Sequence, residues 1–163
     1  YMLELQKPFK NKYIIRIAIN SDFRKIIKIE KELNLPITSF ALFKSLIKEQ
    51  NVFILKNYFS KQIIGFIQFR GDRIESEIIT LGVKQKFQNI GLGKKLFDYM
   101  VKKGYENIFL EVCNSNKQAL KFYEKIGFKK ISIRKNYYIN NKNKKKDAFL
   151  MCFKKSSEIL TKK

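Results

Sequence analysis

At 163 residues and 45% hydrophobic, the chain is long enough for one domain with a full core and too short for several. Its 35 basic and 14 acidic side chains give a net charge of +21, and five of the basic residues are Arg (Arg16, Arg24, Arg70, Arg73 and Arg134). The absence of His excludes Ser-His-Asp triads, Cys-His pairs and His-ligated metals; proton transfer falls to Glu, Asp, Tyr, Lys, Cys or water, and no metal is expected.

Taken in chain order, residues 13–19 alternate apolar and polar and predict a strand, with Asn20-Ser21-Asp22 as a helix cap. Residues 23–33 carry a helical apolar stripe, broken at Asn34-Leu35-Pro36. Thr38 or Ser39 then caps a helix to about Gln50, with Phe40, Phe43, Leu46 and Ile47 on one face. Residues 52–58 and 63–70 predict a hairpin, and 76–83 a further strand. A polar loop, 84–89, leads to Gly91 and Gly93 and a helix that Gly104 stops. A strand over 107–113, a helix over 116–126 stopped by Gly127, and strands over 130–138 and 148–153 complete the series. The order predicts one mixed α/β domain over 13–153, with an N-terminal extension (1–12), a basic loop (139–146) and a basic tail (154–163).

Cys113 and Cys152 fit neither a zinc pattern nor a secreted disulfide framework, and are read as two buried thiols on neighbouring strands. Reduced thiols, the lack of an apolar run of ~18 residues and an N-terminus (Tyr1-Met2-Leu3-Glu4) unlike a signal peptide lead us to expect a cytoplasmic protein without a membrane partner. The charge has two readings. It attracts polyanions such as RNA, the ribosome or a phosphorylated cofactor. It also follows from an AT-rich codon composition, which favours Lys, Asn and Ile over Arg.

Chemistry concentrates after the strand that ends at Val83. A helix start exposes unpaired N–H groups and the positive end of the dipole, and glycines let a phosphate approach the backbone. Lys94 and Lys95 add charge there. A lone G-x-G start is equally an ordinary helix start. Its context separates the two readings. Gln88-x-x-Gly91-x-Gly93 resembles the acetyl-coenzyme A pyrophosphate loop, Q/R-x-x-G-x-G/A, of the GNAT N-acetyltransferases. Leu110-Glu111-Val112-Cys113-Asn114-Ser115-Asn116, followed by Ala119, Phe122-Tyr123 and Gly127-Phe128, resembles that family's L-E-V-x-x-S-N-x-x-A-x-x-L/F-Y-x-x-x-G-F block. The resemblance covers 13–153 and implies the GNAT fold: a mostly antiparallel mixed sheet with a splayed parallel pair at its centre and helices on both faces.

Within the family the chain is similar to the RimI-type protein N-terminal acetyltransferases. Glu111 and Tyr123 stand twelve apart, Arg134-x-x-Tyr137-Tyr138 resembles that group's R-x-x-Y-Y, and Asp147-Ala148-x-x-Met151 resembles its E-D-A-x-x-M. Ile90, Cys113 and Leu35-Pro36-Ile37-Thr38 depart from the group's usual residues, the last from F-P-W-S/T. The resemblance implies acetyl-CoA as cosubstrate and a protein N-terminus, such as a ribosomal protein's alanine, as acceptor. It implies Glu111 as base and Tyr123 as acid. Leu81, Val83, Gln88, Asn89, Gly91, Leu92, Gly93, Lys94, Asn116 and Tyr123 would bind the cofactor, Leu81 and Val83 through their main chain. Leu35, Tyr137 and Tyr138 would hold the acceptor.

Plainer readings stand beside these roles: Glu111 in an ion pair, Tyr123 packed with Phe122 and Phe128, Asn116 as an N-cap, and Tyr137-Tyr138 as a strand pair. An α-amine, with a pKa of ~7.7–8.0, is far more often neutral at pH 7 than a Lys at ~10.4, so an N-terminal acceptor needs only a modest base. Two other functions fit the chain: acetyl transfer to aminoacyl-tRNA, and a catalytically idle fold that binds RNA or the ribosome. A monomer is expected.

Overall fold

The computed structural model describes residues 12–139 and 145–155, with the backbone alone for Tyr138 and Ile139. The expected extension before residue 12, the tail from 156, the centre of the basic loop and the Tyr138 side chain lie outside those residues.

Among the described residues, seven strands and four α-helices follow the expected order. They are β1 (Tyr13–Ile17), α1 (Phe23–Glu32), α2 (Phe40–Lys48), β2 (Val52–Asn57), β3 (Ile63–Gly71), β4 (Glu75–Val83), α3 (Leu92–Lys102), β5 (Asn107–Cys113), α4 (Lys117–Lys125), β6 (Lys129–Ile139) and β7 (Lys145–Lys154). The strands form one mixed sheet in the order β1-β2-β3-β4-β5-β7-β6. β4 and β5 are parallel over Glu75–Ile78 against Asn107–Leu110; the other registers described, β1–β2, β2–β3, β5–β7 and β6–β7, are antiparallel. Glu111–Cys113 continue beyond that short parallel ladder, pairing with β7. Two compact units divide the chain, one reaching to Gln68 and including Thr80–Phe97, the other comprising Phe69–Ile79 and the chain from Asp98.

In the first unit β2 and β3 are almost wholly buried, because helices cover both faces. Val52, Ile54, Ile63 and Phe66 pack with Ile26 and Ile29 of α1 and Phe43 and Leu46 of α2. Gly65 faces the other way, where a Cβ would lie 3.3 Å from Leu96 of α3. A Cβ on Gly82 would sit 2.9 Å from Phe66 and 3.2 Å from both Leu33 and Leu35, so this close approach requires glycine. Ser39 is the cap of α2, accepting from the Leu42 N–H at 3.2 Å. Phe40, expected on one face with Phe43, Leu46 and Ile47, is exposed and lies 5.1 Å from Phe23, the two rings tilted by 60°.

Two acidic side chains are buried among the described residues of this unit, Asp22 and Glu30. Asp22, the last residue of the expected cap Asn20-Ser21-Asp22, is the N-cap residue of α1, but its side chain makes no capping bond to that helix. Its carboxylate accepts from the Ile19 N–H at 2.9 Å and pairs with both terminal nitrogens of Arg16 at 2.7 and 3.0 Å. Burial pushes that carboxyl up, but the Arg16 hydrogen bonds, the Ile19 N–H and the charges of Arg16 and Lys25 outweigh it and hold it below the usual range. Glu30, 0% exposed, accepts from the Thr38 N–H at 2.9 Å and the Thr38 hydroxyl at 2.6 Å. It thereby pins the turn between α1 and α2.

In the second unit β5 alternates strictly. Ile108, Leu110 and Val112 are buried, while Asn107, Phe109, Glu111 and Cys113 are half-buried on the opposite face. Phe128 is buried against Tyr123 and Phe153, at 5.4 and 5.8 Å between ring centroids. Gly127 ends α4 at φ +105°. The two free cysteines lie on the neighbouring strands β5 and β7, but only Cys152 is buried. Cys113 is half-buried because β5 ends there, and its sulfur lies 3.2 Å from the Ser115 hydroxyl.

Candidate active site

The glycine loop belongs to the first unit. β4 ends at the buried Val83, and Lys84 donates its N–H to the Ile64 carbonyl at 2.8 Å. The Gln85–Phe87 turn follows, tethered by the Gln85 N–H to the Glu32 carboxylate at 3.0 Å. The Gln88 amide donates back to the Val83 carbonyl at 2.9 Å and closes the loop on the strand end. Asn89 and Gly91 then take positive φ, 62° and 83°. A Cβ on Gly91 would meet nothing within 4 Å, so its exposed backbone stands open to an approaching group. α3 starts immediately after, with Leu92 buried as its anchor and the Lys94 and Lys95 side chains exposed in its first turn. Open glycine backbone, a helix N-terminus and two cations suit a phosphate-sized anion. Leu81, half-buried, and Gly93, half-buried, complete the expected set in this unit. Leu35 also lies here, but packs inward towards Gly82, whereas its neighbour Ile37 is exposed.

The titratable cluster belongs to the second unit. Glu111, with 10% of its side chain exposed, pairs with Arg134 of β6 at 2.6 Å. The Tyr137 hydroxyl donates to the same carboxylate. That hydrogen bond, then burial, then the negative charge of Glu111 push the Tyr137 phenol above its ordinary value, and the nearby Arg134 only partly offsets them. The Arg134 guanidinium also lies 5.5 Å from the Tyr137 ring centroid. Beside this group Arg70 holds Glu77 with two bonds of 2.8 and 2.6 Å, which raises the guanidinium's own proton affinity.

Tyr123 lies on α4, half-buried, its ring edge-on to Phe122 at 5.1 Å and Phe128 at 5.4 Å. Asn116 is the N-cap of α4, its side-chain oxygen accepting from the Ala119 N–H at 3.1 Å. The expected residues thus divide between the units: the loop 81–94 and Leu35 in one, Glu111, Asn116, Tyr123 and Tyr137 in the other. Sequence reading did not find Arg134, Arg70 or Glu77 as neighbours of the expected base. Arg134 was visible only as the first residue of R-x-x-Y-Y, in a chain where Arg is scarce.

The acetyltransferase (GNAT) family model matches residues 20–128. The chain is 33% identical over 136 residues to the ribosomal protein bS18-alanine N-acetyltransferase of Haemophilus influenzae, covering 80% of this chain and 90% of the relative. The crystal structure of the ribosomal-protein-S18-alanine N-acetyltransferase of Escherichia coli superposes with a TM-score of 0.73 at 26% identity, covering 91% of this chain and 98% of the other. Arabidopsis thaliana Naa50 in complex with a bisubstrate analogue shares the fold, at a TM-score of 0.75 and 21% identity over 89% of this chain and 99% of its own. With a fold that agrees with these matches, the chain belongs to the GNAT acetyltransferase family and is an N-acetyltransferase.

Proposed function

We propose that the chain transfers an acetyl group from acetyl-CoA to the α-amine of a protein N-terminus, with the N-terminal alanine of a ribosomal protein as acceptor. The carrying observation is Glu111: a carboxylate at the end of a strand, one-tenth exposed, held by an arginine that is itself 51% exposed and by a tyrosine hydroxyl. Half-exposed partners can swing aside for an incoming amine, which a buried ion pair does not allow. The Haemophilus and Escherichia relatives, named for the alanine of this ribosomal protein, support the acceptor.

Acetyl-CoA supplies the activated acetyl thioester. The N–H groups of Gly91, Leu92 and Gly93, with Lys94, receive its pyrophosphate, while Gln88 and Asn89 shape the loop. Leu81 and Val83 contribute main-chain groups, and Asn116 a further polar contact. Glu111 accepts the proton of the acceptor amine through a water. A phenol ordinarily titrates near ~10, within reach of a thiol, so the Tyr123 hydroxyl can hold the proton destined for the sulfur. Leu35, Tyr137 and Tyr138 hold the acceptor peptide.

The test is incubation with labelled acetyl-CoA and peptides carrying a free N-terminal alanine and an internal lysine. Mass spectrometry should find the label on the α-amine near neutral pH. Label mainly on lysine would overturn this reading. Charged tRNA in a parallel incubation separates it from transfer to aminoacyl-tRNA, which also presents an α-amine.

A further inference from the structure

We infer that Asp147 is a positioning residue for this centre, fixing a bulge in β6 that aims both Arg134 and Tyr137 at Glu111. In a regular strand side chains alternate between faces, so residues three apart point to opposite sides. Arg134 and Tyr137 are three apart, yet both engage Glu111. The register explains how. Arg134 pairs with Ala148 and Tyr138 with Lys146, so β6 takes four steps (138 − 134) where β7 takes two (148 − 146). Two extra residues are absorbed, and bulges of this kind re-aim side chains.

Within the bulge Asn136 adopts φ 57°, the left-handed conformation that Asn tolerates better than most residues. Its N–H no longer fits the ladder and instead donates to Asp147 Oδ1 at 2.9 Å. The Asp147 carbonyl accepts from the Asn114 N–H, also at 2.9 Å, three residues beyond Glu111. One residue of β7 therefore ties down the end of the strand that carries the base and the bulge that carries its two partners. Neither role is served by the side chain touching the reacting groups.

The kinetic part of this inference rests on the proposed role of Glu111; the geometric part does not, and the test separates them. The first readout is the titration of the Tyr137 phenol, taken as the difference in ultraviolet phenolate absorbance between each protein and its Tyr137→Phe counterpart. Glu111, Glu77, Arg134 and Arg70 carry the charges around that phenol, and its hydrogen bond to Glu111 is the largest of the influences that raise its titration, ahead of burial and the Glu111 charge. Asp147→Ala should let it fall towards that of an ordinary tyrosine. Asp147→Asn, whose amide oxygen still accepts from Asn136, should restore most of the rise.

The second readout is turnover with acetyl-CoA and an N-terminal alanine peptide. Asp147→Ala should lower kcat on the order of 10- to 100-fold, the penalty of misplacing catalytic groups by about 1 Å. Acetyl-CoA affinity by calorimetry should not change. Asn136→Gly, which keeps the left-handed backbone, should behave as the parent, and Asn136→Val as Asp147→Ala. This second pair decides the matter if Asp147→Ala does not fold. An unshifted Tyr137 titration in both Asp147→Ala and Asn136→Val, or an Asp147→Asn as impaired as Asp147→Ala, overturns the inference. Absence of N-terminal acetylation by the parent protein overturns the proposed function alone, and the titration still decides the bulge.

Discussion

Glu30 in the first unit and Glu111 in the second are both strand- or helix-borne carboxylates in a cation-rich chain, and they are used in opposite ways. Glu30 is fully buried and bonded to the N–H and hydroxyl of one residue, Thr38. Its partners belong to a turn, and moving them would unpack α1 from α2. Glu111 keeps a tenth of its side chain exposed and binds groups that are themselves about half exposed, Arg134 and Tyr137. A buried, satisfied carboxylate holds a fold together. One with partners that face water can exchange them, which a proton acceptor needs.

The sharpest way to break that contrast is to neutralise each carboxylate. Glu111→Gln should cut turnover at least ~100-fold near pH 7, the lower end for losing a general base. Activity should recover partly above the α-amine pKa of ~7.7–8.0, where the acceptor is already deprotonated. Tyr123→Phe should lose as much and not recover. Steady-state rates across pH check both, and a Glu111→Gln enzyme with near-parental turnover returns Glu111 to the class of Glu30. Glu30→Gln should instead lower thermal stability and leave the shape of the pH profile unchanged.

Next in size is the buried pair that resembles Glu30 in use. Arg16→Met leaves the Asp22 carboxylate buried without its cation and should destabilise the fold by about 2–3 kcal/mol, less than the 3–5 of a fully buried pair, because the Arg16 side chain is 36% exposed. The sign with pH follows from the lowered Asp22 carboxyl: its contribution is full above the unfolded value of ~3.9 and is lost as pH falls through the folded one. Denaturant titrations should therefore show the gap between parent and variant closing on acidification. A gap that widens in acid contradicts the pairing.

Gly91→Glu places a side chain and a negative charge in the open space above the loop. Acetyl-CoA affinity should fall at least tenfold, about 1.4 kcal/mol, by calorimetry on the folded variant. The smallest effect should come from Asn116→Asp. It keeps the cap oxygen, so stability should change by a few tenths of a kcal/mol. Any loss of acetyl-CoA affinity beyond that marks the side-chain amide as a cofactor contact.

Much of the fold was legible because local rules decide it. The alternation of Ile108, Leu110 and Val112 and the stop at Gly127 predicted β5 and α4 to within a residue. The glycine loop was legible because its backbone demands are written as Gly91 and its neighbours. What stayed hidden depends on register. Arg70 meets Glu77, and Arg134 meets Glu111, only after β3, β6 and β7 have chosen their partners, and for Arg134 only after a two-residue bulge. The burial of Glu30 and Asp22 stayed hidden for a different reason: charged residues are mostly exposed unless paired, and only tertiary partners, Thr38 and Arg16, reveal that these two are buried.

The β6 bulge has a bearing on self-association as well. β6 is the terminal strand of the sheet order and carries the exposed Ile131 and Ile133. Terminal strands with apolar side chains are templates for pairing with a second chain, and proteins blunt them with lysines and irregular backbone. Lys129, Lys130 and Lys135 bracket the two isoleucines, and the left-handed Asn136 interrupts any continuous intermolecular ladder soon after them. Straightening this strand would do more than disorder a catalytic centre: it would lengthen a sticky edge and make the protein harder to keep in solution at high concentration.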